Sequence, residues 1–435
     1  MADTNVRSLI LAAGMSTRLK SARSKVLHEV CGKPLLTWVL EACRAAGIGR
    51  HVVVVGALRD QIQEAYADSG DITWVVQEPQ QGTGHAVMVA QDALADFSGD
   101  LVVLMGDAPL VRPETIRTLI DTHRNEKATV TLITAILDDP KWFGRIIRDA
   151  GGNLQGIVEA RDATAAQAAI KEVNPAYYCF NWPALRNVLP KISNNNVKHE
   201  YYLTDGVGLL IHEGHKALAL PAAEPAECEA VNSRADLARV MALARQRILA
   251  AHMAEGVTIE DPATTYIDAG VTIGPDTVIG PGTVIRAPAT IGAGCRVGPM
   301  AHLRPGTVLE DGAEAGAFVE TKNARLGQGA VARHLSYLGD CTVGPRTNVG
   351  CGTITANTDP RDGRKHHTDV GADASLGAGT LLVAPTSVGD GAVTGAGSVV
   401  TRTHPVPPGE TVAGAPARRI RPHEPEKPEK GEPGR

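Results

Sequence analysis

The sequence is poor in aromatic residues and lacks the cysteine patterns that stabilise small secreted folds. Aromatic side chains make up 3% of the 435 residues, and the seven cysteines are an odd number. No two cysteines stand in a C-x-x-C arrangement, so neither a disulfide framework nor a zinc knuckle is indicated. A reducing, cytoplasmic compartment fits this cysteine usage best.

Basic blocks and long apolar runs are also missing. The formal net charge is −5, and no cluster of lysine and arginine stands out, so we expect no nucleic-acid partner. The first residues, MADTNVR, lack the apolar core of a signal peptide. Because no run of about 18 apolar residues follows, we expect no membrane segment either.

Glycine and proline are abundant instead, with 46 and 27 residues respectively. This composition indicates repeated tight turns rather than an ordinary globular enzyme throughout. The chain is also too long for one hydrophobic core of usual size, so we expect more than one domain.

The first part of the chain, residues 1–232, alternates strand-like and helix-like segments. Short apolar runs end at a glycine or an acid in SLILAAG, HVVVVGA and LVVLMGDAPL, and PLLTWVLEACRAAG has helical spacing. Such alternation predicts an α/β, Rossmann-like domain around a mostly parallel sheet. Ligands of these sheets lie beyond the carboxyl ends of the strands.

Residues 233–256 predict a linker helix. Ser233 and Asp236 form a capping-box pattern at its start, and Gly256 can end it.

A period of six residues begins at about residue 267. Its third position is aliphatic in seven consecutive hexads: Ile273, Ile279, Ile285, Ile291, Val297, Leu303 and Leu309. This repeat predicts a left-handed hexapeptide parallel β-helix over 257–420, with the third position pointing inward. The remaining residues, 421–435, are rich in Pro, Glu and Lys, and we expect them to be disordered.

The hexad period breaks in three places. It slips by one residue at VETKN (319–323) and again at AVARH (330–334), and the loop NTDPRDGRKHH (357–367) interrupts it. Polar residues collect near these breaks, and breaks in a solenoid tend to mark function.

The stretch GMSTRLKSARSK (14–25) follows the first predicted strand and resembles a phosphate-binding loop. Gly14 allows a sharp turn whose amides can face phosphate oxygens, and Arg18 and Lys25 add positive charge. Asp107 ends a neighbouring strand, where an acid commonly holds Mg²⁺ beside phosphates. Together these residues are similar to sugar nucleotidyltransferases, in which a sugar phosphate attacks the α-phosphate of a nucleoside triphosphate.

A closer resemblance rests on motifs spread along residues 7–402. They are LILAAGMSTRLKSARSKVLHEVCGKPLL, VVQEPQQGTGHA, LMGDAPL, WFGRIIRD, GIVEARDAT, KEVNPAYYCF, NNNVKHEYYLTD and AVNSRADL. In this order they resemble the bifunctional N-acetylglucosamine-1-phosphate uridylyltransferase and glucosamine-1-phosphate acetyltransferase family. The resemblance implies synthesis of UDP-N-acetylglucosamine, a precursor of peptidoglycan and lipopolysaccharide, by a homotrimer.

For the uridylyl step, the resemblance implies UTP as the co-substrate and Mg²⁺ as the cofactor. Arg18 and Lys25 would act in catalysis, and Asp107 and Asn232 would bind the metal. The implied UDP-N-acetylglucosamine contacts are Leu11, Ala12, Ala13, Gly14, Lys25, Gln77, Gly82, Thr83, Met105, Gly106, Asp107, Gly144, Glu159, Asn174 and Asn232. Of these, Gln77, Gly82 and Thr83 would contact uracil.

For the acetyl step, ARHLSYLGD and NVGCGTITAN resemble the acetyltransferase half of the same family. His334 would be the general base, a role that suits a side chain with a near-neutral pKa. The implied sugar-phosphate contacts are Arg304, Lys322, Tyr337, Asn348 and Lys365, and the implied acetyl-CoA contacts are Cys351, Asn357, Thr358, Ala378 and Ala396. We expect a nearby carboxylate to orient His334.

The sequence departs from the family pattern at several positions. Ser16 stands where the family has Gly, and Ser24 where it has Pro. Thr358 and Ala378 replace Tyr and Ser, and the loop after Asn357 is two residues longer. Arg418 and Arg419 are the candidates for the last CoA contact, and the β-helix before Arg304 is about two coils shorter.

Two other functions are compatible with the domain order. One is a monofunctional nucleotidyltransferase whose β-helix only forms trimers or senses an effector, and the other is a scaffold with a decayed first site. His334 together with Arg304 and Lys322 argues against the former, and Lys25 together with Asp107 argues against the latter.

Overall fold

The computed structural model describes residues 3–14 and 17–420. It divides into two compact units, Met1–Ala244 and Arg245–Arg435. Two predictions, the role of Ser16 and the disorder of 421–435, lie outside the described residues.

The first unit is built on a mixed sheet of ten strands. The strands of this unit are β1 (Val6–Leu11), β2 (Glu29–Val30), β3 (Lys33–Pro34), β4 (His51–Val55), β5 (Ile72–Val76), β6 (Asp100–Met105), β7 (Val130–Ile136), β8 (Gly144–Arg148), β9 (Leu154–Val158), β10 (Glu172–Asn174), β11 (Tyr178–Asn181) and β12 (Ala217–Pro221). The short β2 and β3 pair only with each other.

The helices of this unit separate most of these strands. They are α1 (Leu35–Ala45), α2 (Arg59–Ala65), α3 (Thr83–Val89), α4 (Pro113–Asn125), α5 (Ala165–Ala168), α6 (Trp182–Val188) and α7 (Leu203–His212), and α8 (Arg234–Ala254) contains the division between the units. Single 3₁₀ turns lie at Thr17–Leu19, Lys25–Leu27, Asp92–Leu94, Leu189–Lys191 and Pro225–Cys228.

The central strand β1 shows why the sequence forms a sheet covered on both faces. Its side chains alternate between two cores: Ile10 packs in the core that contains α1 and α4, whereas Leu9 and Leu11 pack in the core that contains α6 and α7. A strand buried on both faces reads as a continuous apolar run, and SLILAA is such a run.

Parallel pairing brings the ends of β1 and β6 to one edge of the sheet. The strand order is β5-β4-β1-β6-β11-β7-β10-β8-β9, and β12 pairs with β7. Strands β5, β4, β1 and β6 are parallel, with Leu11 opposite Met105. The strands from β11 to β9 pair antiparallel, so the sheet is mixed rather than mostly parallel.

The start of α8 has the predicted capping box. The Asp236 carboxylate accepts hydrogen bonds from the Ser233 amide (2.9 Å) and hydroxyl (2.8 Å), and the Ser233 hydroxyl accepts one from the Asp236 amide (3.2 Å). Gly256 follows the end of the helix with a φ of +88°, a conformation that favours glycine.

The second unit consists of short strands. They are β13 (Thr258–Ile259), β14 (Tyr266–Ile267), β15 (Thr272–Ile273), β16 (Val278–Ile279), β17 (Val284–Ile285), β18 (Ala289–Ile291), β19 (Arg296–Val297), β20 (His302–Leu303), β21 (Thr307–Leu309), β22 (Glu314–Ala317), β23 (Glu320–Leu326), β24 (Val331–His334), β25 (Tyr337–Val343), β26 (Asn348–Val349), β27 (Ile354–Ala356), β28 (Thr368–Val370), β29 (Ser375–Leu376), β30 (Leu381–Val383), β31 (Thr386–Val388), β32 (Val393–Thr394), β33 (Val399–Val400), β34 (Thr411–Ala413) and β35 (Arg418–Arg419).

These strands confirm the predicted parallel β-helix. Ile279 pairs with Val297 and Ile285 with Leu303, so each coil contains three hexads. The predicted inward positions from Ile279 to Leu309 are buried in one continuous core, and Ile273 is half-buried beside it. Each hexad therefore supplies one inward aliphatic side chain, and each coil supplies one layer of three.

The registers locate the two one-residue slips. His302 pairs with Glu320, 18 residues on, whereas Glu320 pairs with Tyr337 only 17 residues on. The first slip therefore lies at 319–323, as predicted. The second prediction, 330–334, was wrong. Asn348 pairs with Val331, one residue short of a full coil, so one repeat between them has five residues instead of six. The inward residues Ala332 and Leu338 are six positions apart, whereas Leu338 and Val343 are five apart, so the shortened repeat is 336–340.

The stacked core makes inward and outward positions of one strand very different in energy. Ile291→Ala removes a buried side chain, and large-to-small core substitutions of this kind cost about 2–5 kcal/mol. Thr290→Ala, at the neighbouring exposed position, should change stability by less than about 0.5 kcal/mol. Denaturant unfolding of both variants checks this, and equal destabilisation would contradict the inward assignment.

Candidate active sites

Lys25 lies between two oxygen ligands at the edge where β1 and β6 end. Its ammonium contacts the Asp107 carboxylate and lies 3.4 Å from the Asn232 side-chain oxygen. The side chains of Lys25 and Asp107 are only 13% and 10% exposed. The structure therefore brings these three predicted residues together.

Backbone contacts bring Asn232 to this position. The Val231 amide donates to the Asp107 carbonyl (2.9 Å), which fixes the chain beside the end of β6. The Asn232 amide then donates to the Asp236 carboxylate of the capping box (3.2 Å). The cap of α8 thus orients the chain at Asn232 as well as starting the helix.

Arg18 reaches the same oxygen from the other side. Its guanidinium donates to the Asn232 side-chain oxygen (2.9 Å) and lies over the Trp142 ring, 5.4 Å from the centroid. Two cations, one carboxylate and one amide oxygen therefore converge. A phosphate chain would be neutralised by the cations, and a hard metal ion would find oxygen ligands.

A cavity of about 200 Å³ adjoins this cluster. Eight predicted contacts line it, namely Leu11, Thr83, Met105, Asp107, Gly144, Glu159, Asn174 and Asn232. A more open cavity of about 440 Å³ elsewhere in the unit has none of the predicted residues in its lining. We place the site in the smaller cavity because the eight predicted contacts line it and two of them, Asp107 and Asn232, also contact Lys25.

Two polar residues at the far end of this cavity suit a sugar. Glu159 accepts a hydrogen bond from the Thr204 hydroxyl (3.1 Å), and burial raises the pKa of its carboxyl. Asn174 donates to the Tyr178 hydroxyl (2.7 Å) and accepts from the Ala176 amide (3.1 Å). Each side chain keeps hydrogen-bonding capacity for a ligand, namely a second N–H of Asn174 and a carboxylate oxygen of Glu159.

The predicted uracil segment is a tight turn against residues 201–203. Gly82 has a φ of +103°, and a Cβ there would lie 2.6 Å from the Tyr201 carbonyl. The Thr83 hydroxyl accepts from the Leu203 amide (3.1 Å). The buried Gln77 donates to the Gly82 carbonyl (2.9 Å), and its amide nitrogen also lies 3.2 Å from Nδ1 of His85. The nitrogen therefore supports the turn, and the side-chain oxygen is left for a base.

The remaining predicted contacts form the backbone around the strand ends. The Gly106 amide donates to the Leu11 carbonyl (3.0 Å), and the Ala12 amide donates to the Val54 carbonyl (2.8 Å). The Ala13 carbonyl accepts a hydrogen bond from the Gln80 side chain. A Cβ on Gly106 would lie 3.2 Å from that of Ala12. Gly14 follows and is exposed.

Ser24 has a structural reason to differ from the family's proline. Its amide donates to the Gln61 side-chain oxygen (2.9 Å), and the Gln61 nitrogen donates to the Ala22 carbonyl (3.0 Å). Proline has no amide hydrogen to donate. Gln61 thus holds the segment before Lys25, a contact that the sequence pattern did not reveal.

In the second unit, Arg304 and Lys322 occupy equivalent positions on successive coils. Leu303 pairs with Thr321, which places the two following cations one above the other. Arg304 also forms an ion pair with Glu320 (2.9 Å). Two stacked cations suit a phosphate ligand, as the sequence predicted.

Asp340 is a polar centre that the sequence analysis missed. It accepts hydrogen bonds from Asn323 (2.7 Å) and from the buried Asn357, and the Lys365 ammonium lies 3.7 Å away. The Tyr337 hydroxyl and the Asn357 side chain both lie next to Gly339, where a Cβ would clash with the two of them. The motif YLGD contains Asp340, but only the coil register shows what it contacts.

His334 lies at the end of β24 and is exposed. Within residues 3–14 and 17–420, the His334 ring makes no hydrogen bond. The expectation that a nearby carboxylate orients it is therefore wrong, and Glu320 pairs with Arg304 instead. Asn348 is also exposed, on the next strand of the same face.

Three predicted acetyl-CoA contacts follow His334 along one edge of the β-helix. The Gly379 amide donates to the Cys351 carbonyl (2.7 Å), and the Gly397 amide donates to the Ala378 carbonyl (2.8 Å). Cys351, Ala378 and Ala396 are therefore stacked, and all three are exposed.

The other acetyl-CoA candidates lie in the 357–367 loop and in the last strand of the β-helix. Thr358 pairs with Lys365 across the base of the 357–367 loop. Arg418 and Arg419 form β35, which pairs with β34 one coil beyond Ala396. Both arginines are exposed.

Comparisons with known proteins identify the family of the chain. Residues 8–172 match the family described as MobA-like NTP transferase domain. The chain is 40% identical to "Bifunctional protein GlmU" of Geotalea daltonii, over 94% of this chain and 97% of that protein. It is 42% identical to the protein of the same name from Trichlorobacter lovleyi, over 92% and 94%. The chain belongs to the bifunctional GlmU family.

This membership confirms the predicted bifunctional transferase, which combines a uridylyltransferase with an acetyltransferase. A solved structure of UDP-glucose pyrophosphorylase complexed with UDP-glucose covers 57% of this chain and 100% of its own, at 15% identity and a TM-score of 0.47. Along residues 3–14 and 17–420, no helix has both the length and the apolar character needed to cross a bilayer.

The sequence analysis missed several residues of the first cavity. Trp142, Phe143, Tyr178 and Thr204 line it beside the predicted contacts. Trp142 and Phe143 belong to the motif WFGRIIRD, but the family resemblance implied a ligand contact only for Gly144 of this motif.

The raised pKa of Glu159 predicts a pH effect on stability. A carboxyl with a raised folded pKa binds its proton more tightly when folded, so its ionisation destabilises the fold as the pH rises. We expect Glu159→Gln to gain stability relative to the natural chain between pH about 4 and about 7.

Thermal unfolding at both pH values measures this difference. Glu213→Gln is the matched control, because the hydrogen bond to Lys191 lowers the pKa of Glu213, and its effect should have the opposite sign. A Glu159→Gln variant whose relative stability falls with rising pH would contradict the assigned environment.

Proposed function

We propose that the two sites catalyse successive steps of UDP-N-acetylglucosamine synthesis. The second unit transfers an acetyl group from acetyl-CoA to glucosamine-1-phosphate, and the first unit transfers a uridylyl group from UTP to the product. The observation that supports this most directly is the convergence of Arg18, Lys25, Asp107 and Asn232 beside a cavity of sugar size.

The uridylyl step needs charge neutralisation and alignment rather than a covalent enzyme intermediate. A phosphate oxygen of N-acetylglucosamine-1-phosphate forms a bond to the α-phosphorus of UTP, and the bond to pyrophosphate breaks. Arg18 and Lys25 stabilise the negative charge that develops on both sides of this phosphorus. Gly144, Glu159 and Asn174 hold the sugar, and Gln77, Gly82 and Thr83 hold the base.

The donor set also fits Mg²⁺. The oxygens of Asp107 and Asn232 face one point, where the Lys25 ammonium now supplies the positive charge. One carboxylate and one amide oxygen, completed by phosphate oxygens, are typical magnesium ligands. When bound, Mg²⁺ would neutralise charge on the triphosphate, and Lys25 would be released toward a phosphate.

In the acetyl step, His334 acts as the base. It takes a proton from the amine of glucosamine-1-phosphate as the nitrogen attacks the thioester carbonyl, and the proton then goes to the departing CoA thiolate. Arg304 and Lys322 hold the sugar phosphate, with Tyr337, Asn348 and Lys365 around the sugar. Cys351, Asn357, Thr358, Ala378 and Ala396 line the CoA side.

The exposed position of these residues supports a homotrimer. Arg304, Lys322 and Tyr337 belong to one sheet of the β-helix, and His334 and Asn348 to another. A single prism filled with aliphatic residues offers no interior for a pocket. A cleft between two prisms would bring such groups together, and a three-fold arrangement provides three clefts.

An apolar ridge next to His334 also supports this assembly. Met300, Phe318 and Leu335 follow one another on three successive coils and are 56%, 63% and 61% exposed. Exposed apolar patches of this kind mark contacts between proteins. Because Leu335 directly follows His334, a second chain on this ridge would cover the base.

We place both reactions in the cytoplasm, where the thiols of the seven cysteines stay reduced. The monofunctional alternative would make His334 dispensable. The two activities therefore need to be measured separately.

Variants of the two sites should lose one activity each. We expect Lys25→Ala or Asp107→Ala to reduce pyrophosphate release by at least about 100-fold, the size typical for an electrostatic catalytic group, while thiol release from acetyl-CoA continues. We expect His334→Ala to abolish thiol release and to keep UDP-sugar formation from N-acetylglucosamine-1-phosphate.

Lys20→Ala is the matched control, because Lys20 is an exposed lysine of the same loop. It should retain both activities. Loss of both activities in a folded Lys25 or His334 variant would contradict independent sites, and unchanged thiol release in His334→Ala would exclude this histidine as the base.

The trimer predicts complementation between inactive chains. Sedimentation should show about three times 45.6 kDa, and mixed His334→Ala and Lys365→Ala chains should regain part of the acetyltransferase activity. Phe318→Glu should lower the mass, whereas Val197→Glu, at an exposed apolar position of the first unit, should not. A monomer with full acetyltransferase activity would contradict the proposal.

A further inference from the structure

Trp142 is a large aromatic residue whose position the core does not explain. It lies in the segment between β7 and β8, its side chain is 45% exposed, and it lines the cavity that also contains Asp107 and Glu159. Burial of an aromatic side chain is normally favourable, so an exposed tryptophan at a ligand cavity suggests a role toward the ligand.

The contacts of Trp142 connect two parts of the uridylyl site. The Arg18 guanidinium lies 5.4 Å from the ring centroid, and the Lys141 ammonium lies 5.7 Å from it. Arg18 also donates to Asn232 (2.9 Å). The ring is therefore in contact with a cation of the phosphate loop on one side and with the sugar cavity on another.

The indole N–H of Trp142 differs from those of Trp38 and Trp182, which donate to backbone carbonyls. Trp38 donates to the Val30 carbonyl (3.0 Å), and Trp182 donates to the Leu94 carbonyl (3.2 Å). Among the described residues, the Trp142 N–H has no acceptor, so this side chain is not held by a backbone hydrogen bond of that kind.

We propose that Trp142 is a positioning residue that holds Arg18 beside Asn232 and forms the aromatic wall of the sugar pocket. The proposal rests on the uridylyl function assigned above. A long, exposed arginine has many conformations, and its ordering costs free energy. A cation–π contact and one hydrogen bond together restrict the guanidinium to the position needed for the α-phosphate.

Occupancy of the sugar pocket then stabilises the arrangement of Arg18. A sugar that packs against the ring restricts the indole, and a restricted indole restricts the guanidinium. Sugar binding is in this way coupled to the position of the Arg18 guanidinium, since the sugar and the guanidinium both contact the Trp142 ring.

The kinetic test is a double-mutant cycle between Arg18 and Trp142. We expect Trp142→Ala to lower kcat for the uridylyl step and to weaken UDP-N-acetylglucosamine binding by about five-fold, and Trp142→Phe to recover most of this loss. In an Arg18→Ala background, Trp142→Ala should have much less effect on kcat. If the kcat of Arg18→Ala is too low to measure, the same cycle is built from the affinities of the four chains for UDP-N-acetylglucosamine, measured by calorimetry.

The controls separate positioning from a structural role. Lys141→Ala removes the other cation over the ring and should leave kcat unchanged. Thiol release should be the same in every variant. Full additivity of the Arg18 and Trp142 substitutions in both kcat and affinity would overturn the proposal.

Intrinsic fluorescence provides a readout that does not depend on turnover. Titration with N-acetylglucosamine-1-phosphate should change the emission of the natural chain and of Trp74→Phe, and this change should be lost in Trp142→Phe. A change that persists in Trp142→Phe would exclude the ring from the pocket. Failure of the natural chain to form UDP-N-acetylglucosamine would contradict the proposed function instead, whatever the fluorescence shows.

Discussion

The hydrogen bond from the Val231 amide to the Asp107 carbonyl is the contact on which the first site depends. It brings the end of a central strand next to the residue that precedes α8, although the two are far apart in sequence. The capping box then orients Asn232, and Lys25 and Arg18 complete the cluster. A helix cap and a strand end, both ordinary structural devices, thus create a group of charges suited to phosphate and magnesium.

A different constraint determines the second site. The interior of the β-helix is filled by one inward aliphatic side chain per hexad, so charged side chains stand on its faces and edges. Arg304 and Lys322 are stacked on one face, and Cys351, Ala378 and Ala396 are stacked on one edge. Groups on a face or an edge of the prism are open to a neighbouring molecule, which is why the proposed function includes a second chain.

The sequence predicted the parts of the structure that follow from local periodicity. The hexads determined the inward residues from Ile279 to Leu309, and the apolar runs located the strand ends beside Asp107. Contacts that depend on tertiary register were not predictable. Asp340 gathers Asn323 and Asn357 only because successive coils align them, Gln61 holds Ser24 from a separate helix, and Glu320 pairs with Arg304 rather than orienting His334.

The central claim is that one chain carries two complete and chemically distinct transfer reactions. The most direct test supplies the purified natural chain with glucosamine-1-phosphate, acetyl-CoA, UTP and Mg²⁺ and follows free thiol and pyrophosphate separately. The account predicts that thiol appears first, and that pyrophosphate and UDP-N-acetylglucosamine follow only when acetyl-CoA is present. Pyrophosphate release without thiol release would contradict it, because the β-helix would then have no acetyltransferase role.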